Sequence, residues 1–151
     1  MIHFEITTPE RTVYKDEIDS VTIPTQEGEI TVLPNHLPIV AVLKPGVLVV
    51  RKNKQENFLA VSGGFIEVQP NSRVVILADT AERAEELTLE AVEAARERAR
   101  RLLEEKRNVD DVAYNAAAAA MERELARLKV VRRRRPRTGP IISSSETEQN
   151  D

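Results

Sequence analysis

Residues 27–46 read E-G-E-I-T-V-L-P-N-H-L-P-I-V-A-V-L-K-P-G, and the rest of the chain is read outward from them. Gly28 supplies a turn, because glycine alone takes positive φ without a steric cost. Ile30, Val32, Val40 and Val42 recur at period two, the spacing of strands with one buried face. Between the two runs sits Leu33-Pro34-Asn35-His36-Leu37-Pro38, stiffened by its two prolines and carrying a His and two Leu. Pro45-Gly46 closes the next turn. A short, rigid loop with apolar residues at its tip more often presents a contact surface than a chemical site.

The pattern continues on both sides. Strands are expected at Ile2–Thr7, 12–14, 18–23, 29–33, 38–43, 47–51, 56–61, 65–69 and 73–77, with breakers at Pro9, Pro24, Pro34, Asn53, Gly63-Gly64 and Pro70-Asn71. Short apolar runs at intervals of about ten residues suggest an antiparallel sandwich or barrel. The Gly63-Gly64 pair reads as a strand irregularity or a close backbone approach. It cannot cradle phosphate as a Walker loop does, because the chain has no Lys-Ser or Lys-Thr pair. At Asp79 the period changes. Thr88 is the expected cap of a first helix, with Glu90 and Glu93 in its opening turns. Its apolar stripe is read as Leu87, Ala91, Ala95, Ala99 and Leu102 or Leu103. Asn108-Val109-Asp110 is read as a short connection, with Asp110 capping a second helix whose stripe is Tyr114, Ala117, Met121, Leu125, Leu128 and Val131. Two helices so joined lie antiparallel as a hairpin. The fold class is therefore α+β: an antiparallel β-sandwich over 1–83, a helical hairpin over 84–135, and an aperiodic tail over 136–151 expected to be disordered.

Composition excludes several functions. No cysteine is present and His3 and His36 are the only histidines, so a metal site lacks ligands. Neither a Ser/His/Asp set nor a carboxylate pair can be placed in a pocket, so nothing points to catalysis or to a bound cofactor. Aromatics make up 3% of the chain and its net charge is −3, which argues against nucleic acid. Residues 1–5 lack a basic segment followed by an apolar run, and no run of about 18 apolar residues occurs. Neither a signal peptide nor a spanning helix is expected, and any membrane association would come through partners. Residues 84–135, with 13 Lys/Arg against 11 Asp/Glu, are the one segment with a positive balance. Arg123 and Arg127 lie one turn apart, and Lys129 and Arg132, Arg133, Arg134 and Arg135 continue the charge. A solvated helix end or a docking surface would both account for them.

G-E-x-x-x-L-P-N-H-x-P from Gly28, then L-K-P-G, then S-G-G-F-x-E-V from Ser62, then Ala78-Asp79-Thr80-Ala81 stand in an order that resembles the epsilon subunit of the F-type ATP synthase. The resemblance runs from about residue 2 to residue 131. It implies a non-catalytic rotor subunit on the cytoplasmic face of the cell membrane, a peripheral part of the ATP synthase complex. Its partners would be the gamma subunit, the c-subunit ring and the alpha and beta catalytic subunits. Glu29, Pro34 and His36 fall at the family's ring-contacting positions. The basic cluster, Arg123 to Arg135, would dock on the catalytic subunits and inhibit ATP hydrolysis when the hairpin extends. Some epsilon subunits bind ATP through a hydrophobic residue, Asp, two variable residues, Arg and Ala. Here those positions hold Leu87, Thr88, Leu89, Glu90, Ala91 and Val92. Loss of the charge-assisted contact costs roughly 1.5–3 kcal/mol. A nucleotide-sensing hairpin and a free-standing adaptor remain the alternatives.

Overall fold

In the computed structural model of the chain, residues 1–107 and 111–134 are described. The strands are β1 (Ile2–Thr7), β2 (Thr12–Ile18), β3 (Ser20–Thr25), β4 (Gly28–Val32), β5 (Ile39–Leu43), β6 (Gly46–Lys52), β7 (Gln55–Val61), β8 (Gly64–Gln69), β9 (Arg73–Ala78) and β10 (Ala81–Arg83). They pair in the order β10-β7-β6-β3-β5-β8-β9-β1-β2, with β4 alongside β3. β1 and β9 run parallel, and the other pairings are antiparallel. β3 turns the corner between the two layers: Ser20 to Thr22 pair with β6, while Thr25 pairs with Leu43 of β5. At the far ends of the path β10 meets β2 through a side chain. Arg83 donates from Nε and Nη2 to the Val13 carbonyl at 3.0 and 2.6 Å, and its guanidinium lies 5.1 Å from the Tyr14 ring centre.

Inside the sandwich, Ile2, Phe4, Ile18, Val21, Ile23, Leu48, Leu59, Ile66 and Ile76 form one core. A second core lies outside β6 and β7. There Val47, Val49 and Ala60 meet Ala84, Leu87, Val92, Leu128, Val130 and Val131. The continuous apolar run Val47-Leu48-Val49-Val50 is thereby explained: Leu48 and Val50 point inward, while Val47 and Val49 point outward beneath helices.

After a 3₁₀ turn at Ala84–Glu86 come α1 (Leu89–Lys106) and α2 (Asp111–Arg134). The Thr88 hydroxyl accepts the Ala91 N–H at 3.3 Å, as a cap should. α2 packs on β6, β7 and α1, whereas α1 rests chiefly on α2. With so little core of its own, α1 carries a surface ladder. Arg100 reaches Glu97 at 2.7 Å and Glu104 at 2.6 Å, and Arg101 reaches Glu97 at 3.3 Å. The Arg100 hydrogen bond leads in holding the Glu97 carboxyl down to about 2.

The expected α+β architecture is therefore the observed one, with corrections of detail. Val40 and Val42 are not on the buried face: they are 70% and 41% exposed, while Leu43 and Val32 point into the core. β10 is an additional strand beyond the expected set, which ends at residue 77. In α1 the inward residues are Val92 and Ala99, seven apart; Ala91 and Leu102 are exposed. In α2, Ala117, Leu128 and Val131 are buried as expected, but Tyr114 is exposed and Glu124 occupies the stripe. The connection 108–110, its Asp110 cap, and the tail 136–151 lie outside the described residues.

Gly64 shows why the glycine pair stands where it does. Its φ is +138°, and a Cβ there would lie 2.0 Å from the Leu77 carbonyl oxygen. Gly64→Ala is expected to lower the stability of the sandwich by at least about 3 kcal/mol, combining backbone strain with a backbone clash. Urea unfolding followed by circular dichroism measures it; an unchanged midpoint would contradict the close approach.

Candidate interaction surfaces

The loop between β4 and β5 is pinned at one end of the sandwich. Asn35 sits at φ +63°, and its N–H donates to the Ser72 hydroxyl at 2.8 Å. The His36 N–H donates to the Leu33 carbonyl at 3.2 Å, and His36 Nδ1 lies 2.7 Å from the Leu37 carbonyl. Thus held, the loop turns Leu33 and Leu37 to solvent, Leu37 at 79% exposure. Pro34 and His36 share this tip. Glu29 does not: it is the second residue of β4 and lines a separate cleft of about 450 Å³ with Lys44, Lys129 and Arg133.

A second surface lies on the outer face of β5, β8 and β9. Val42 is paired with Phe65, and Phe65 with Leu77, so the three side chains form one row across the sheet. Phe65 and Leu77 are each 57% exposed, and Val40 extends the patch along β5. A contiguous apolar patch on a small domain marks a place where another molecule sits. This surface is not the one expected: period two along 38–43 puts Val40 and Val42 on the buried face, and they lie on the exposed one. The available signal was that Ile39-Val40-Ala41-Val42-Leu43 is apolar at every position although its outer face has no helix to cover it.

The helical region divides differently. Leu87 and Val92 are buried in the second core, the Thr88 hydroxyl is occupied in capping, and Ala91 is exposed. None of these four side chains carries a charge, so none offers a phosphate an ion pair. Of the basic residues, Arg132 is exposed and Arg133 lies 5.8 Å from the Phe58 ring centre. Arg127 is largely buried. Its Nη1 reaches Glu124 at 2.7 Å and its Nε lies 2.6 Å from Glu82. That Nε–H is not directed at an acceptor, so its contact with Glu82 is coulombic. The Arg134 side chain and Arg135 lie outside the described residues. Among the described residues no group of His, Cys, Asp or Glu could hold a metal, and no helix is long and apolar enough to cross a membrane.

Residues 1–84 match the family model of the ATP synthase delta/epsilon chain β-sandwich domain. The chain is also 44% identical to the ATP synthase epsilon chain of Herpetosiphon aurantiacus, over 90% of its own length and 98% of that protein's. The chain belongs to the ATP synthase delta/epsilon chain family. The epsilon chain of Moorella thermoacetica is 47% identical over 85% of this chain and 94% of its own. The resemblance to epsilon subunits thus holds over most of the sequence. Among solved structures, a chain of the Euglena gracilis mitochondrial ATP synthase OSCP/F1/c-ring assembly aligns with a TM-score of 0.71 and 29% identity. It covers 85% of this chain and 79% of that one. A chain of the Tetrahymena thermophila mitochondrial ATP synthase central stalk and c-ring, with a TM-score of 0.54 and 20% identity over 85% of this chain and 96% of that one, shares the fold.

Within this family, the uncharged set at Leu87, Thr88, Ala91 and Val92 has a direct consequence. Titration of the full chain with ATP is expected to give no saturable heat up to millimolar nucleotide, because no cation at residue 91 meets the phosphates. Isothermal calorimetry measures this, and a saturable isotherm in the micromolar range would refute it.

Proposed function

We propose that this delta/epsilon-family chain is the non-catalytic rotor subunit of a proton-translocating ATP synthase, attached to the membrane through the complex. The observation that carries this reading is the 44% identity to an epsilon chain across 98% of that chain, so that sandwich and hairpin both have counterparts there. The Euglena chain it resembles belongs to an assembly that includes F1 and a c-ring, which favours gamma and ring partners here. Residues 1–83 form the gripping unit. The Val42–Phe65–Leu77 row supplies the apolar patch a gamma shaft would cover, and Leu33, Pro34, His36 and Leu37 form the end that would meet polar and apolar loops of the ring.

Transmitting torque requires no reacting group, only interfaces that do not slip. An apolar row of this kind gives affinity, and the pinned loop fixes orientation. Residues 84–135 form an arm that folds down against β6 and β7 and extends to obstruct ATP hydrolysis. Arg123, Arg127 and Arg132 to Arg135 would then face acidic segments of the alpha and beta subunits. Exposed ion pairs give about 0.2–1 kcal/mol each, so the cluster has to act together to shift the arm.

Two outcomes are expected. Phe65→Asp, at an exposed position that the core does not need, is expected to weaken capture of the gamma subunit by about tenfold or more in a pull-down with tagged chain, as loss of a central aromatic anchor does. Undiminished capture would move the grip elsewhere. Removal of residues 110–151 is expected to raise ATP hydrolysis by the assembled complex while leaving assembly intact; unchanged hydrolysis would end the inhibitory reading.

A further inference from the structure

Glu124 stands in the apolar stripe of α2 and is 3% exposed. A carboxylate removed from water needs partners, and this one has two guanidiniums. Arg127 Nη1 donates to Glu124 Oε2 at 2.7 Å, and Arg123 Nη2 lies 3.5 Å from Oε1. Arg127 in turn stands between two acids. Glu124 lies one turn back on the same helix, while Glu82 lies across the interface on β10, its Oε2 2.6 Å from Arg127 Nε. Among the described residues, the Arg127–Glu82 ion pair joins α2 to the sandwich. Two acids and two bases balance, so the cluster needs no external ion.

We propose that Glu82, Arg127 and Glu124 form an internal clamp that holds the hairpin down, and that Arg127 must leave this clamp before it can meet an acid on a partner. The proposal rests on the reading of the hairpin as an arm that folds down and extends. The two carboxylates have different tasks. Glu82 is the catch on the sandwich. Glu124 travels with α2 and is a positioning residue: it holds the Arg127 guanidinium at the height of β10 and neutralises it while buried. The arm is then latched by its own residues rather than by a bound ligand. Arg127, counted from the sequence among the docking cations, is unavailable in the folded-down form, whereas Arg132 stays exposed. Docking through Arg127 and release of the arm therefore become a single event, and a partner's carboxylate competes directly with Glu82 for one guanidinium.

Thiol labelling of the full chain tests this. The chain has no cysteine, so Ala60→Cys, buried beneath α2, is a single reporter that reacts only when the hairpin lifts. In that background Glu124→Gln keeps the side-chain shape and removes the charge, leaving Arg127 buried with half its partners. It is expected to speed labelling by at least about tenfold. Glu82→Gln, on the sandwich side, is expected to speed it by about tenfold without touching the packed face of α2. The double variant is expected to fall well short of the product of the single effects, since both act on one guanidinium. Glu122→Gln, an exposed acid on the same helix, should leave the rate unchanged. Unchanged labelling in both single variants, multiplicative effects in the double, or an equal effect of Glu122→Gln would each overturn the clamp. The readout uses the isolated chain, so it is separate from hydrolysis by the complex. Faster labelling with unaltered inhibition would keep the clamp and remove the inhibitory reading, and the reverse pattern would remove the clamp alone.

Discussion

Strand β6 is buried on both of its faces, and the arrangement of the molecule follows from that. Leu48 and Val50 complete the interior of the sandwich, while Val47 and Val49 face outward with Ala60 from β7. An isolated sandwich would leave those outward residues in water. Burying a side chain such as Leu or Val contributes about 1.5–3 kcal/mol, so Leu128, Val130 and Val131 of α2 together outweigh any exposed ion pair on the hairpin. α2 is thus the layer that seals the sandwich, and α1 rests on α2. This explains why α1 carries an Arg–Glu ladder along its exposed surface: it has only Val92 and Ala99 as fully buried residues, and its helix needs support of its own.

Much of this was legible in the residues. Gly28 and the glycine pair at 63–64 marked a turn and a close approach because few conformations suit anything else; Gly64, facing the Leu77 carbonyl, is the clearest instance. Thr88 announced a helix start through its hydroxyl, and the period change after Asp79 separated strand from helix. What stayed hidden depends on tertiary context. Period two gives two faces but does not say which one is inside: Val40 and Val42 satisfied the pattern yet face solvent, because β5 contributes Leu43 to the core. An apolar run such as 47–50 records two-sided burial, but only the fold shows that a helix from the other end of the chain covers the second side.

Glu124 was illegible for a different reason. A glutamate between Arg123 and Leu125 reads as one more charge on a wet helix face, and helical spacing alone gave Met121 and Leu125 a stronger claim to the stripe. The structure turns α2 so that Glu124 falls between Ala117 and Leu128 on the inward side. Burial then forces it to find cations on its own helix: Arg127 is drawn inward with it, while Arg123 reaches it from an exposed position. Sequence periodicity cannot foresee this, since the cost of burying Glu124 is met by cations of α2, and Arg127 in turn pairs with Glu82 on β10. Arg127 accordingly passes from a surface cation to an interior one.

Apolar contact and charge do different work where the hairpin meets the sandwich. Hydrophobic burial is non-directional and scales with area, so Val47, Val49 and the α2 residues over them hold the two layers together without fixing their register. A guanidinium between two carboxylates adds little net stability once desolvation is counted, but Arg127 is held by a hydrogen bond to Glu124 and lies in short coulombic contact with Glu82, and the contact with Glu82 is lost when α2 shifts along β10. For the arm proposed above to extend, both must be replaced. The apolar face of α2 would need another apolar surface, and Arg127 another acid. A partner offering only one of the two would leave the hairpin where it lies. On that proposal, the composition of this interface would select for a partner that is both apolar and acidic, and the folded-down form would make the selection before any docking surface is presented.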